Sequence, residues 1–341
     1  MLRCLAIVVY ALVADALVAA RRVARPPRPL AAQPNPFGDL LAGLFGVGGG
    51  GGASAGGVSA GEKLAALIGA PEGIDAASVA AACAEGVVFE DLASDTYSGP
   101  AAVAEYFAKK YPAGSRLVVE RVAGNATTGG CTWRRAEALA DGSAYGLRGT
   151  TYVRYDSAGL MVYAREGSEP LVKPGPATEA LLKAATANQE KVEKVATYAP
   201  RSPRGAVEIA DYLWNEAYPK GATPAVALDL FSDTIRYEDF NYPEPFLGKA
   251  QVKDFVEAFD IPGIDFVPLE ISGGAGDACC FTWVVKVNGN DGPQGISFYG
   301  SDAAGKIDFI RDIPAAGPAP LQALAALVNP ALRVFTPRRS D

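Results

Sequence analysis

The sequence of 341 residues contains no histidine. Histidine is the commonest general base in enzymes and the commonest protein ligand of metal ions. Its absence excludes Ser-His-Asp and Cys-His catalytic systems, so any acid–base chemistry must depend on Asp, Glu, Lys, Tyr or Cys. The chain has five cysteines, and no two of them form the C-x-x-C pair that is typical of zinc sites. We therefore expect no metal ion, no cofactor and buried free thiols.

Excess positive charge is confined to the N-terminal segment. The whole chain carries a formal net charge of −7, and residues 1–36 contain five arginines and one aspartate, which leaves −11 for the remainder. A body that acidic repels the phosphates of nucleic acids and of anionic lipid surfaces. We therefore predict that nucleic acid is not a partner of this protein.

The N-terminus lacks an apolar run long enough to span a membrane. The run Leu5–Ala14 is shorter than the about 20 apolar residues that a spanning helix needs. With the small residues that follow, residues 1–20 are typical of a secretory signal peptide cleaved near Ala20. Residues 21–61 begin with four arginines, like a transit peptide, and end in a glycine-rich linker. This bipartite presequence predicts delivery to a plastid (chloroplast) and no stable membrane span in the mature protein, with secretion or an uncleaved anchor as the alternatives.

The remaining chain carries one pattern twice. Equivalent positions lie 146 to 150 residues apart: Glu90 and Glu238, Gly99 and Gly248, Trp133 and Trp283, Arg165 and Arg311. We infer a tandem duplication, with domain 1 at residues 62–190, a linker at 191–204 and domain 2 at 205–335. Two copies in one chain could pair as an intramolecular pseudo-dimer, because this arrangement supplies each domain with a covalently attached partner.

In each copy, apolar residues at helical spacing precede apolar residues that alternate with a period of two. The clearest alternation is the run Cys279, Phe281, Trp283, Val285, Val287. It is followed by Asp291-Gly292, a dipeptide typical of hairpin turns. These patterns predict an α+β fold of two tandem domains, each with N-terminal helices packed on a curved antiparallel β-sheet.

Several short motifs resemble one protein family. They are Tyr237-Glu238-Asp239, Pro245-Phe246-Leu247-Gly248, Thr282-Trp283, Ser297-Phe298-Tyr299, Ile310-Arg311-Asp312 and Lys173-Pro174-Gly175. They resemble the SnoaL-like branch of the nuclear-transport-factor-2-like superfamily, in particular its plastid-targeted plant and algal members, over about residues 62–185 and 205–335. The resemblance implies two tandem cone-shaped domains with a pocket inside each cone, where enzymes of the superfamily place an Asp base, sometimes with a Tyr donor. A His often follows the Trp in this family, but Arg134 and Val284 stand there in this chain.

The candidate catalytic residues are Asp239, Tyr237 and Asp91. Strand alternation puts Asp239 on the face of Tyr237, and an apolar pocket would raise the pKa of such a carboxyl toward neutrality. The alternative is that each Asp caps the turn that follows it.

The candidate ligand-binding residues are Trp283, Trp133, Tyr299, Arg311 and Arg165. The tryptophans lie mid-strand and could form a pocket wall or fill a core. Each arginine could bind an anionic ligand or form an ion pair with the Glu of the Glu-Asp motif.

The leading hypothesis is a non-catalytic protein that binds a small apolar molecule in a cone or presents a sheet to a protein partner. The alternative is an isomerase, cyclase or hydrolase that uses Asp239 or Asp91 as its general base. Domain 2 is the better candidate for such a site, because Tyr237 replaces Phe89 and adds a hydrogen-bond donor.

Overall fold

The computed structural model describes residues 57–112, 114–136, 148–170, 173–187, 195–272 and 277–315. The predicted signal peptide, most of the segment 21–61 and the predicted end of domain 2 lie outside these residues. Within the described part of the chain, no helix is both long and apolar enough to cross a membrane. The predicted domain boundaries stay predictions.

Domain 1 consists of short helices and a six-stranded sheet. The helices are α1 (Ala60–Ile68), α2 (Ala76–Ala81), α3 (Pro100–Lys110) and α4 (Pro176–Ala185), which follows the sheet. The strands are β1 (Cys83–Asp91), β2 (Thr96–Ser98), β3 (Leu117–Gly124), β4 (Thr128–Arg135), β5 (Arg148–Tyr155) and β6 (Met161–Ser168). A capping box between Ser59 and Glu62 begins α1, since each side chain accepts a hydrogen bond from the other residue's backbone.

Domain 2 repeats this organisation. Its helical elements are α5 (Ala206–Asp211), which continues as the π-helical segment Tyr212–Ala217, the 3₁₀ helix Pro224–Leu230 and α6 (Gly248–Ala258). Its strands are β7 (Phe231–Asp239), β8 (Phe246–Leu247), β9 (Ile264–Ile271), β10 (Ala278–Val287), β11 (Asn290–Ser301) and β12 (Ile307–Pro314).

The two sheets have the same strand order, β2-β1-β6-β5-β4-β3 and β8-β7-β12-β11-β10-β9. The structure therefore confirms the predicted α+β fold of two helix-on-sheet units. The prediction that the sheets are antiparallel is wrong in one respect. The strand β1 pairs with β6 in parallel, and so does β7 with β12. Each sheet is therefore mixed, and this could not be predicted because side-chain alternation is the same for both strand directions.

The hairpin between β10 and β11 turns at a different place from the one predicted. Val287 pairs with Asn290, so Asn288 and Gly289 form a two-residue turn, with φ of 52° and 79°. Two consecutive positive φ angles are the requirement of a type I′ turn, which Asn-Gly meets at low cost. The predicted turn residues, Asp291 and Gly292, lie inside β11.

Each domain has its own core on the helix side of its sheet. In both, a tryptophan on one strand lies over a glycine of the next: Trp133 over Gly149 in domain 1 and Trp283 over Gly295 in domain 2. A Cβ atom on Gly295 would lie 2.1 Å from the ring of Trp283, so the ring position requires glycine.

A third core lies between the two sheets. Its buried members come from both domains: Ala123, Tyr152, Cys280, Ile296, Phe298 and Phe309. The faces of the sheets that point away from the helices therefore cover each other.

The packing of the two sheets is nearly twofold symmetric. Gly130 and Cys280 are equivalent positions in the two copies, and a Cβ atom on Gly130 would lie 2.6 Å from the Cys280 Sγ. Gly167 and Ile313 are likewise equivalent, and a Cβ atom on Gly167 would lie 2.7 Å from Ile313 Cγ2. Contacts between equivalent positions mark a pseudo-twofold axis, as in an isologous dimer.

Candidate functional site

The cone of domain 2 contains a hydrogen-bonded group of side chains centred on Asp312. In the strand register, Ser297 on β11 pairs with Asp312 on β12, which pairs with Asp239 on β7. The Asp312 carboxylate accepts hydrogen bonds from the hydroxyls of Tyr237 and Ser297. Ser297 in turn accepts a hydrogen bond of 2.8 Å from the indole N–H of Trp283. The strand pairing thus places four polar groups at one point of the cone.

Asp239 lies beside Asp312, and the environment of both carboxyls disfavours ionisation. Burial, followed by repulsion from Asp312, raises the pKa of Asp239 to about 7. Burial also raises the pKa of Asp312 to about 6, although the hydrogen bonds from Ser297 and Tyr237 oppose this rise. Because neighbouring carboxyls titrate as a coupled pair, we expect the two to share about one proton near neutral pH.

In domain 1 the equivalent carboxylate is saturated with donors. Glu166 occupies the position of Asp312 and accepts hydrogen bonds from Tyr106 at 2.8 Å, Tyr111 at 2.7 Å and Thr151 at 3.0 Å. The Lys110 Nζ also lies 2.8 Å from the Glu166 carboxylate. Burial lowers the pKa of Lys110, but the negative charges of Glu166 and of Asp91 outweigh burial and raise it. The charge of Glu166 is therefore compensated by an ammonium group and three hydroxyl donors.

The difference between the cones is local in sequence. At the positions of Tyr106 and Lys110, domain 2 has Phe255 and Phe259. Phe255 stacks on Phe246 with ring centroids 4.3 Å apart and meets Phe259 edge-on at 5.1 Å. An aromatic wall therefore replaces the lysine and the tyrosine. Domain 2 thus holds two carboxyls whose raised pKa values let them change protonation state near neutral pH.

The predicted turn-capping role of the two aspartates is present in the geometry. Asp239 Oδ1 accepts a hydrogen bond of 2.8 Å from the backbone N–H of Asn241. Asp91 Oδ1 accepts one of 3.1 Å from the backbone N–H of Ala93, and its Oδ2 lies 3.2 Å from Lys110 Nζ. Both aspartates face their cones as strand alternation predicts, and both also hold the turns that follow.

The predicted aromatic ligand-binding residues face the cones. Trp133 is buried and donates a hydrogen bond of 2.9 Å to Thr151 Oγ1. Trp283 has the same relation to Ser297, and Tyr299 packs edge-on against Phe281 with centroids 5.0 Å apart. All three belong to the buried cores of their domains, so they can act as wall and as core filling at once.

Arg165 and Arg311, predicted as ligand-binding residues, do not face the cones. Both lie on the opposite face of their sheets, because alternation puts the following carboxylate, not the arginine, inside. Arg165 Nε donates to Glu90 at 2.7 Å, and Arg311 Nε to Glu238 at 2.7 Å. These are the ion pairs that the sequence offered as the alternative.

Both arginines also reach the other domain. Arg311 donates to the carbonyl oxygen of Gly149 at 3.2 Å and to Glu120 at 3.0 Å, and Arg165 donates to Gln294. These contacts bind the two sheets to each other.

Sequence reasoning missed Asp312 and Glu166 as site residues. The signal was present, because each immediately follows the arginine at the end of the last strand. Alternation alone would have placed them on the face of Tyr237 and Trp283. In the described residues, no three potential metal-ligating side chains are grouped to hold a metal ion.

No protein family matches this chain, and no curated protein matches it. Solved structures do match. A SnoaL-like family protein from Agrobacterium tumefaciens is 21% identical with a TM-score of 0.25, over 27% of this chain and 80% of that protein. A Mycobacterium tuberculosis protein, solved in complex with estradiol-17beta-hemisuccinate, is 19% identical with a TM-score of 0.24, over 27% and 79%. A nuclear-transport-factor-2-like protein from Mesorhizobium loti is 22% identical with a TM-score of 0.24, over 28% and 79%. The structural neighbours thus include SnoaL-like and nuclear-transport-factor-2-like proteins.

Proposed function

We propose that this protein binds a small, largely apolar ligand in the cone of domain 2, with domain 1 as its structural partner. The observation that carries the proposal is the contrast between the two cones. Glu166 is neutralised by Lys110 and hydroxyl donors, whereas Asp312 lies at the base of an aromatic cone with a raised pKa. Burying a carboxyl costs free energy, and carboxyls with strongly raised pKa values concentrate at functional sites.

The ligand would place its apolar body against the aromatic wall and its polar group at the carboxyls. Phe246 and Phe259 are half-buried, so their rings are accessible at the edge of the core. The single O–H of Tyr237, which donates to Asp312 in this structure, would turn to a carbonyl or hydroxyl oxygen of the ligand, and an unprotonated Asp312 would accept a hydrogen bond from a ligand donor. An apolar pocket with a few convergent polar groups is the usual form of a small-molecule site.

The packing of the sheets favours a small ligand over a protein partner. A partner that docked on the open face of a sheet would need a free face, but in the described residues these faces form the shared core with Phe298 and Phe309. The duplication already supplies the partner that such a face could take.

A second candidate function is proton transfer. The pKa values of Asp239 and Asp312, about 7 and about 6, are suited to a general base near neutral pH. One carboxylate would take a proton from the carbon beside a carbonyl. The charge that develops on the carbonyl oxygen would be stabilised by the Tyr237 hydroxyl.

We also propose that the protein belongs to the plastid-targeted, tandem type of SnoaL-like protein. The support is the N-terminal sequence of residues 1–61 and the equal strand order of the two sheets. Import of the full chain fused to a fluorescent protein into plastids, against a fusion that lacks residues 1–61, tests this localisation.

Binding to the cone can be tested with 1-N-phenylnaphthylamine, a neutral apolar probe whose fluorescence rises in apolar sites. We expect saturable binding to the full chain. Phe246→Ala should weaken it about tenfold, because an aromatic contact is lost. Tyr97→Ala changes the equivalent position in domain 1 and should alter affinity by less than about twofold. Equal effects of the two changes, or no binding, would contradict a domain 2 site.

The enzyme candidate has its own readout. A ketone that binds the cone would exchange hydrogen for deuterium at the carbon beside its carbonyl when incubated in D₂O. The double change of Asp239→Asn and Asp312→Asn should abolish this exchange while binding of the apolar probe persists. Binding without exchange would leave ligand binding as the function.

A further inference from the structure

A cavity of about 260 Å³ opens between the two sheets, apart from both cones. Four arginines and two glutamates line it: Arg121, Arg148, Arg236, Arg311, Glu120 and Glu238. Their formal charges sum to +2, in a protein whose net charge is −7. A positive, partly enclosed site in an acidic protein attracts anions, since the surrounding low-dielectric walls concentrate its field.

The pseudo-twofold axis provides an internal control for this cluster. The equivalent positions on the other side of the axis keep one arginine, Arg165. There Glu270, Gln294 and Val88 stand at the positions of Arg121, Arg148 and Arg236. Packing of the two sheets therefore does not require four arginines, because the same contact is made on the other side without them.

Two of the four arginines retain donors for a ligand. Arg311 is committed to Glu238, Glu120 and a backbone carbonyl. Arg236, by contrast, donates through Nε to Glu238 and is half exposed. Arg121 lies with its guanidinium 4.3 Å from the centre of the Phe309 ring, and no carboxylate of the described residues forms an ion pair with it.

A neutral group lining the same cavity also lacks a partner. Thr132 is fully buried, and its hydroxyl makes no hydrogen bond to any described residue. An unsatisfied buried hydroxyl is costly and uncommon in native structures. A ligand oxygen in the cavity would satisfy it.

We propose that this interdomain cavity binds a small, multiply charged oxyanion, a phosphate or a polycarboxylate. Guanidinium groups bind both, because their paired N–H groups match the spacing of two oxygens. Arg121 and Arg236 would donate from opposite domains, and the Thr132 hydroxyl would donate from the cavity wall. The bound anion would bridge the two domains, independently of any ligand in the cone.

The test uses the full chain and two probes, inorganic phosphate and citrate, by isothermal titration calorimetry at constant ionic strength. We expect at least one of them to bind with one site per chain and to raise the melting temperature above that in sodium chloride of equal ionic strength. Binding of phosphate alone would identify the ligand class as a phosphate, and binding of citrate alone would identify it as a polycarboxylate.

Matched variants separate a built site from general charge attraction. Arg121→Gln should weaken binding about tenfold or more, because a charge-assisted hydrogen bond is lost. Arg154→Gln removes the same charge from an exposed arginine that pairs with Glu270 across the domains, and should change affinity by less than about twofold. Thr132→Val should weaken binding while leaving the melting temperature without anion unchanged or higher.

The proposal is overturned if neither anion exceeds the chloride control, or if Arg154→Gln weakens binding as much as Arg121→Gln does. Binding of 1-N-phenylnaphthylamine is also measured in the presence of saturating phosphate, so that the two proposed sites are tested separately. If the probe does not bind to the cone, the anion site can still be confirmed by calorimetry. If no anion binds, the cone site can still be confirmed by the probe.

Discussion

Replacing Glu238 by glutamine is expected to lower the free energy of unfolding by about 3–5 kcal/mol at pH 7. Glu238 is buried and accepts hydrogen bonds from three arginines: from Arg148 at 3.1 Å, from Arg236 at 2.8 Å and from Arg311 at 2.7 Å. Glutamine keeps the shape but removes the charge and turns an N–H group toward the guanidinium donors. Arg311, which is 3% exposed, would then lose its closest charge partner. Urea-induced unfolding followed by far-ultraviolet circular dichroism measures the loss.

Glu90→Gln is the matched control for this change. Glu90 occupies the equivalent position in domain 1 but is more accessible, with 29% of its side chain exposed, and it pairs with Arg165. We expect it to cost about 1 kcal/mol, as is usual for pairs that remain in contact with water. Similar losses for both variants would show that the three-arginine arrangement around Glu238 adds nothing to the stability of the fold.

The pH dependence of the Glu238 effect has a definite sign. Burial raises the pKa of Glu238, but the charges of Arg311 and Arg148 outweigh burial, so the pKa lies below its ordinary value of 4.5. A carboxyl with a lowered pKa stabilises the folded state above the unfolded-state pKa, and this contribution is lost as the pH falls through the folded-state pKa. The difference between wild type and Glu238→Gln should therefore be constant near neutral pH and shrink below pH 4.5.

The second large effect is expected with the opposite sign. Asp239→Asn should raise the free energy of unfolding at pH 8, by about 2 kcal/mol, and should have little effect near pH 4. The pKa of Asp239 rises from an ordinary 3.8 to about 7 on folding. Between these values the folded state binds more protons than the unfolded state, so stability falls as the pH rises, and the full penalty is present above pH 7.

Asparagine removes this penalty and keeps the turn. Its carboxamide oxygen can still accept the hydrogen bond from the Asn241 N–H. The rise in pKa corresponds to at most about 4 kcal/mol. We expect about half of this, because the substitution leaves the buried Asp312 charged at pH 8 and so relieves only part of the penalty that the coupled pair carries.

Asp91→Asn, at the equivalent position of domain 1, should lower stability, because Asp91 pairs with Lys110 at 3.2 Å. Thermal unfolding of both variants at pH 4, 6 and 8 measures the two signs. If Asp239→Asn destabilises the protein at pH 8 as Asp91→Asn does, then Asp239 is an ordinary ionised turn cap, and the site proposed in domain 2 loses its second carboxyl.

Much of the fold could be predicted because each signal was local and appeared twice. Alternation along β10 predicted that Cys279, Phe281 and Trp283 share one face of the strand, and all three lie in the core of domain 2. The difference between the two cones is also visible when the two copies are aligned, since Lys110 in domain 1 and Phe259 in domain 2 occupy equivalent positions.

What could not be predicted depends on how distant segments meet. No pattern within the strand of Arg311 indicates Glu120 as a partner, because that pair exists only once the two sheets have docked. The same applies to the cavity with four arginines, whose lining residues come from the five strands β3, β4, β5, β7 and β12. The predicted position of the hairpin turn was wrong for a different reason. Two turn dipeptides, Asn288-Gly289 and Asp291-Gly292, lie close together, and the register of the two strands decides which of them forms the turn.

The glycines on the pseudo-twofold axis have a consequence for assembly. At each axial position, one copy has glycine and the other has a larger residue, Gly130 against Cys280 and Gly167 against Ile313. Two copies of domain 1 would leave a gap at these positions, and two copies of domain 2 would clash there. The interface therefore favours pairing of domain 1 with domain 2 over pairing of two identical domains. If two chains ever exchange domains, they should do so reciprocally, first domain with second, giving a swapped dimer that rebuilds the same interface twice.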